Sequence, residues 1–485
     1  MNSIGLNQSL LMGSQSLNAQ QVAIATIGNN ISNVNTPGYA RQRANLVSNV
    51  VTSESGELDM GVSVSNIESL RSPLLDSLVQ QSLGDQGYAD NQASLTSTVQ
   101  DSLGEEFTSA ASSSSSGSVA SGSGPVQDAM SNFFGALQTL ASTPSDGTAR
   151  QVVVQDAQTL ASALNGASQR VQQTQSGIAT DASSVTTQIN QLSQSIASLN
   201  QQITQVQGTT GTTANGLSDT RQADVETLSG LINITTTTQS DGSVSIALAD
   251  NPSVKLVNEG NSNGAGTTQS LSVSYNANAS VPLTVSGSTT GVLGTGVPSS
   301  GSLGADLDVA NNVIGSPGAD GNTGILGALD SVASQLITQV NAQNAAGYDA
   351  NGHAGGAIFT GTGASDIAVS STVANDPSLI AAGNGSGPLD GSNALAMAQI
   401  QNQSSITPAF QTMVSSLGQT VSNAQSNQTT QDQITQQLQT QKSSVSGVSI
   451  DEEMTNLINF QQSYDASARF ITIISNLYDT LINKT

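Results

Sequence analysis

The sequence predicts a mainly α-helical protein that carries an inserted β domain, with the helices at the two chain ends paired as a coiled coil. Three observations lead there. Near the start, Leu10, Leu17, Ile24 and Ile31 recur every seven residues, the spacing of an apolar helical stripe. From Ile178 through Ala182, Val185, Ile189, Leu192, Ile196, Leu199 and Ile203 to Val206, apolar positions alternate steps of four and three, a sustained a/d seam that packs a long helix along another. Between 231 and 305 the period drops to about two, as in Val244, Ile246 and Leu248, which is the strand signature.

Taken in order, residues 3–34 read as an amphipathic helix, with Ile27 and Val34 widening its stripe. It stops at Asn35-Thr36-Pro37-Gly38, where Pro37 disfavours helix at Thr36 and Pro-Gly suits the centre of a type II turn. Residues 109–124 are a Ser/Gly/Ala tract and read as a surface loop. Helix is predicted over 126–141 and 146–173, then along the seam. Strands punctuated by turns such as Asp241-Gly242 fill 231–305. Gly315, Gly318, Gly321, Gly324 and Gly327 fall every third residue, but the run is too short for collagen. Helix returns over 323–345, residues 346–392 are mixed loop, and a Gln-rich helix runs over 393–445 with Phe410, Leu417, Ala424, Leu438 and Val445 in heptad register.

The last helix begins after Gly447, with Ser449 and Glu452 spaced as a capping box and Asp451, Glu452 and Glu453 in the first turn. Two seams follow: Ile450, Leu457, Tyr464, Ile471 and Tyr478, and then Met454, Ala468 and Ile482. Both chain ends are therefore helices whose stripes need a partner. The simplest partner is each other, with neighbouring subunits covering what remains.

At 485 residues the chain is too long for one core and predicts about three domains. These are a terminal coiled-coil assembly domain from 1–45 with 450–485, a helical core from 46–230 with 306–449, and the β-rich insert 231–305. Only 9% of residues are charged, against about 25% in ordinary proteins. Ser, Thr, Gln and Asn take their place, and such faces suit subunits that pack against copies of themselves. The ten cations are scattered through a chain of formal charge -24. That excludes nucleic acid, which needs clustered positive charge, and an anionic membrane surface would repel the chain. No Cys is present, so there is no disulfide framework. The first forty residues hold no Asp, Glu, Lys or Arg and lack the pattern of a cleaved secretory signal.

No catalytic, metal or cofactor site is read from the residues. His353 is the only histidine and sits in a Gly-rich loop, so neither a Ser-His-Asp triad nor a zinc site can be assembled. Asp349-Ala350-Asn351-Gly352 resembles the start of a calcium loop, but Thr360 stands where the twelfth-position Glu belongs. Glu105-Glu106 and Asp451-Glu452-Glu453 are runs of adjacent acids, which on a helix point different ways and do not pair across a cleft; the first reads as a solvated face and the second as the first turn of a helix.

Two segments carry a family resemblance. Asn29-Asn30-Ile31-Ser32-Asn33-Val34-Asn35-Thr36-Pro37-Gly38-Tyr39-Ala40-Arg41-Gln42-Arg43 resembles the N-terminal signature of the flagellar rod, hook and hook-associated axial proteins. Ser446 to Glu453, followed by Phe460 to Arg469, resembles their C-terminal signature. Phe134 to Arg150, Ser302 to Asp308 and Asn341 to Gly352 are similar to the hook-associated members. The resemblance implies an assembly motif of Asn30, Asn33, Asn35, Thr36, Pro37, Gly38, Tyr39 and Arg41. It also implies a C-terminal assembly helix bearing Ile450, Leu457, Phe460, Gln461, Tyr464, Ala468, Arg469, Ile471 and Tyr478.

The same resemblance implies a structural, non-enzymatic subunit exported by the flagellar type III apparatus with the help of an export chaperone. Its end helices would be disordered in the monomer and fold together on assembly outside the cell. Its partners would be copies of itself in a ring, hook protein below, and a second hook-associated protein or the filament side above. A hook or distal-rod subunit remains the alternative, since those share the end motifs. A wall-cutting glycosidase lacks a paired-acid site here, and a secreted coiled-coil adhesin would leave the Asn-Thr-Pro-Gly-Tyr turn unexplained.

Overall fold

The computed structural model describes residues 5–53, 56–104, 124–210, 213–258, 268–277, 279, 281–287, 291–292, 299–316, 324–385, 387, 389–403 and 406–484. Of the predicted Ser/Gly/Ala tract only Gly124 is included, and Gly318 and Gly321 also lie outside the described residues. In chain order the elements are α1 (Leu6–Ser32), β1 (Gln42–Ser53), β2 (Gly56–Ser69), α2 (Pro73–Leu103), α3 (Pro125–Ser142), α4 (Gly147–Thr210) and α5 (Asn215–Leu231). Six short strands follow: β3 (Ile234–Thr238), β4 (Val244–Leu248), β5 (Lys255–Val257), β6 (Leu271–Tyr275), β7 (Leu283–Gly287) and β8 (Gly291–Val292). Then come α6 (Ser302–Asp308), a π-helical turn (Val309–Ile314), α7 (Ile325–Ala345), β9 (Phe359–Thr360), β10 (Ala368–Val369) and α8 (Ser371–Asn375). The chain closes with α9 (Ser392–Gln403), α10 (Ile406–Ser446) and α11 (Ile450–Lys484). The architecture is mainly helical with small antiparallel sheets.

The chain divides into two compact units. The first takes 1–84, 189–269 and 432–485, and the second takes 85–188 and 270–431. The β-rich stretch 231–305 is split between them. Sheet β3–β4–β5 belongs to the first unit and β6–β7–β8 to the second.

In the first unit, β1 and β2 form a long antiparallel hairpin whose register shifts between Asn45 and Leu46 and again between Ser48 and Val50. The hairpin packs on α1. Ile196, Ile203, Val225, Leu228, Ile246, Leu256 and Val257 are buried in this unit. Strands β3 and β4 pair from Ile234↔Leu248 to Thr238↔Val244, joined by the predicted Asp241-Gly242 turn, with Gly242 at φ 80°.

In the second unit, Met130, Phe133, Phe134, Leu137 and Leu140 of α3 are all buried. Phe133 meets Phe134 and Phe359 edge-on at centroid distances of 5.2 and 5.4 Å, a preferred aromatic arrangement. Helix α9 packs on α3 and α7. Phe410, Leu417 and Ala424 of the predicted heptad are buried, while Val445, in the first unit, is exposed.

The sequence reading places separate helices at 146–173 and 178–206, but α4 is one helix of 64 residues. Gly177 does not break it because that position costs only about 1 kcal/mol in a helix and the flanking stripe is buried on both sides. The seam itself is mixed. Ile178, Ala182, Ile189, Ile196 and Ile203 are buried, and so are Gln175, Thr186, Ser193 and Asn200. The predicted helix 393–445 is divided into α9 and α10, with 404–405 outside the described residues.

One device recurs within both units. A helical Asn takes both backbone hydrogen bonds of the first residue of a strand. Asn200 donates to the Val244 carbonyl at 2.7 Å and accepts from its N–H at 3.0 Å. Asn311 does the same to Leu283, at 2.8 Å each way, and Asn341 to Phe359, at 2.8 and 2.9 Å. The amide has one donor edge and one acceptor, so it mimics the neighbouring strand that these end residues lack.

Candidate functional site

The two chain ends meet in the first unit. Helices α1 and α11 run antiparallel, as the order of their contacts shows. Gly13 lies against Ile471, where an added Cβ would fall 2.6 Å from Ile471 Cγ1. Gln20 Nε2 donates to Ser467 Oγ at 3.2 Å, Gln21 Nε2 to Tyr464 Oη at 3.3 Å, and Asn30 Nδ2 to Glu453 Oε2 at 3.0 Å. Leu17, Ile24 and Ile31 share the stripe of Gly13 and Gln20 and are half-buried, whereas Leu10 is exposed. On α11 the facing residues step by four and three through Glu453, Leu457, Phe460, Tyr464, Ser467 and Ile471.

The other expected positions on α11 fall outside this seam. Ile450 and Tyr478 are half exposed, since the antiparallel register carries Ile450 past the end of α1 and sets Tyr478 against its first turn. Ala468 flanks the seam half-buried, and Gln461, Arg469 and Met454 are exposed. The side chain of Ile482 lies outside the described residues. A second face of α1, carrying Ala19, Ala23, Thr26 and Asn30, is buried, on the side where Gly61 of β2 abuts Met12.

The loop after α1 closes as predicted. Tyr39 N–H donates to the Thr36 carbonyl at 3.2 Å, with Pro37 and Gly38 at the turn centre and Gly38 at φ 77°. That geometry is type II. Glycine is needed at 38 for a second reason, since a Cβ would lie 2.9 Å from Ala223 Cβ on α5. Asn33 braces the turn from within, donating to the Asn29 carbonyl at 2.9 Å and accepting from Thr36 Oγ1 at 3.1 Å. Asn35, Thr36 and Pro37 are exposed.

Behind the turn lies a polar node centred on Asn30, which is 1% exposed. Its amide makes four hydrogen bonds, the fourth use of the strand-end device. Nδ2 donates to the Gln42 carbonyl at 2.8 Å and to Glu453. Oδ1 accepts from Gln42 N–H and from Tyr39 Oη, both at 2.9 Å. Arg41 binds Glu453 Oε1 at 2.7 Å and Glu452 Oε2 at 2.6 Å, so Glu452 is drawn to a cation of the N-terminal segment. The Arg41 N–H also donates to the Ser446 carbonyl at 2.8 Å.

A second layer holds the turn from below. Arg71 donates to the Gly38 carbonyl at 2.6 Å and pairs with Asp219 at 2.8 Å. Lys442 pairs with Asp76 at 3.0 Å and with Glu226. Burial, with the Asp219 and Glu453 carboxylates adding, pushes the Tyr39 hydroxyl up to about 12. Burial also raises the Asp219 carboxyl, against the pull of Arg71. The arrangement offers no nucleophile and base in reach of each other. It can fasten both chain ends to one place.

Sequence reasoning missed Arg71, Asp76, Asp219, Glu226 and Lys442, and read Glu452 and Glu453 only as helix-start residues. Their signal was scarcity. With ten cations in the chain, three of them, Arg41, Arg71 and Lys442, converge on this node. His353 lies elsewhere, in the second unit, exposed and 3.7 Å from Asp349.

Comparison with known proteins agrees with this geometry. The profile described as the flagellar hook-associated protein FlgK helical domain matches residues 115–359, just over half of the chain. Two further profiles match the joined ends: flagella basal body rod protein over 10–39, and flagellar basal body rod FlgEFG protein C-terminal over 439–484. The chain is similar to flagellar hook-associated protein 1 of Bacillus subtilis, 26% identical over 97% of this chain and 96% of that one. It is likewise 26% identical to the Salmonella typhimurium protein of that name, over 96% and 98%. The solved flagellar hook junction protein FlgK from Burkholderia pseudomallei superimposes with a TM-score of 0.60 at 17% identity, over 76% of this chain and all of that one, which supports the fold. On the match to the helical domain, the chain belongs to the flagellar hook-associated protein FlgK family, structural subunits of the bacterial flagellum.

Proposed function

We propose that this chain is exported by the flagellar apparatus and joins hook to filament, polymerising with copies of itself through the α1–α11 pair. The observation that carries this is the far side of α11. Ile458, Ile473 and Leu477 stand 50, 58 and 50% exposed on the side away from α1. A helix apolar on both sides is ordinarily buried on both, and a large exposed apolar patch marks an interaction site. A neighbouring copy presents the matching surface, and before assembly the same face gives an export chaperone something to cover. The turn at Asn35-Thr36-Pro37 is held out into solvent beside this pair, where it is free to meet a neighbour. The function is structural rather than catalytic, in keeping with the relatives' names.

Two substitutions separate the inner seam from the outer face. Ile473→Asp places a charge on the exposed side, so the purified monomer should keep its helix content and melting profile. The protein should nevertheless fail to stay on the hook, and filament protein should leak into the medium. Ile471→Asp, against Gly13, should also loosen the α1–α11 pair in the monomer. Swimming cells with normal filaments in the Ile473→Asp strain would overturn the assignment of the outer face.

A further inference from the structure

In the second unit, α6 is fastened to α2 through Asn91, Tyr88 and Gln92. Asn91 Nδ2 donates to the Ser302 carbonyl and to Asp306 Oδ1, each at 2.8 Å. Asp306 is 1% exposed, and its Oδ2 has no hydrogen-bond partner among the described residues, nor has Ser302 Oγ one turn before it. Among the described residues, the packed helices bring no cation to it. From α4 comes the Asp181 carboxylate, which adds repulsion. Nearby on α2, Tyr88 donates to Asp308 Oδ2 at 2.9 Å and Asp85 is hydrogen-bonded to Ser300. Asp308, on α6 itself, is also held by Gln92 and Asn312. Directly after α6 the chain enters the π-helical turn Val309–Ile314, and Gln175 donates to the carbonyls of Ala310 within it and of Gly315 just after it.

A buried carboxylate with one oxygen unpaired and a second carboxylate nearby is costly. A buried neutral carboxylic acid costs far less. We propose that Asp306 makes the α6–π segment an acid-favoured latch, docked on α2 and α4 while the carboxyl is neutral and loosened once it ionises. Burial pushes this carboxyl up to about 7, with Asp181 adding and the Asn91 hydrogen bond opposing. The sign follows from linkage. The folded state keeps its proton to higher pH than the unfolded chain does, so docking weakens as pH rises toward the folded value and levels off beyond it. The opening equilibrium changes by ~10-fold per pH unit across that window. The latch is independent of how the chain ends assemble.

Hydrogen exchange on the full chain, corrected for intrinsic rates, reads the latch directly. The opening constant of 302–314 should climb ~10-fold per unit from pH ~4.5 to ~7 and then flatten, and it should climb more steeply than that of α7. The Asp306→Asn variant should show no such rise. A profile for 302–314 that is flat, or parallel to that of α7, overturns the proposal, as does a variant that climbs with the wild-type slope. Should the variant fail to fold, the wild-type comparison of 302–314 with α7 decides alone.

Discussion

Replacing Asn30 by Ala removes four hydrogen bonds in one step. Two serve the backbone of Gln42 at the start of β1, one serves Tyr39 and one serves Glu453. Each bond is worth about 1 kcal/mol net, and a buried group left without a partner costs about 1–3 kcal/mol. Arg41 still holds Glu453, and Tyr39 is only partly buried, so a loss of about 4 kcal/mol is expected. Asn30→Asp keeps the accepting oxygen but sets a carboxylate about 3 Å from that of Glu453. At an effective dielectric of about 20, two charges so placed repel by about 5 kcal/mol, so this variant is worse than Ala above the usual carboxylate range. It recovers as pH falls and one of the two acids takes up a proton. The chain has no Trp, so urea unfolding is best followed by far-UV circular dichroism, with hydrogen exchange locating the loss at β1 and the start of α11. An Ala variant within about 1 kcal/mol of wild type would refute the node as the fastening of the chain ends. So would an Asp variant as stable as Ala at pH 8.

Gly38→Val should leave expression intact but impair assembly, because φ 77° disfavours a β-branched residue and the new Cβ meets Ala223; about 1–3 kcal/mol of strain is expected, measured by thermal melting and a motility assay. Tyr39 titrates late, with its folded value raised, so its neutral form is the one the fold favours. Stability should therefore hold to about pH 10 and be lost as pH climbs toward 12, a fall that Tyr39→Phe should lessen in alkaline unfolding curves, burial having raised the Tyr88 and Tyr275 hydroxyls as well.

The parts legible in the sequence are those written in large apolar residues at a fixed period. The stripe Leu17, Ile24 and Ile31 and the stripe Leu457, Tyr464 and Ile471 each name a helix face, and the structure sets both faces in one antiparallel pair. The Pro37-Gly38 turn is legible for a similar reason, since few backbone conformations accept that pair. The hairpin β1–β2 is not legible, because its two register shifts interrupt the alternation a strand reading depends on. Helix α2 hides because much of its buried face is small or polar, with Ser82, Ala89, Ala93 and Thr96. The polar node is invisible for a different reason. Arg71, Asp219 and Lys442 are far apart in sequence and carry no spacing, so only the fold brings them to Gly38 and Asp76.

The strand-end device has a consequence for how the molecule ages and what surroundings it tolerates. Four joints, at Asn30, Asn200, Asn311 and Asn341, rest on a neutral amide, which neither titrates in water nor responds to added salt as an ion pair does. Those joints should hold equally in fresh and saline water. The weakness is chemical. Deamidation turns the donor nitrogen into an oxygen, and the new carboxylate would then confront the very backbone carbonyl that the amide had bound. The residues that follow these four are Ile31, Gln201, Asn312 and Ala342, none of them the glycine that speeds ring closure, and all four amides sit on helices. A helical backbone resists the bend that ring closure requires. By contrast, Asn351-Gly352 and Asn384-Gly385 carry the glycine and lie outside the helices, so mass spectrometry of long-stored protein should find lost amides there before it finds them at the four joints.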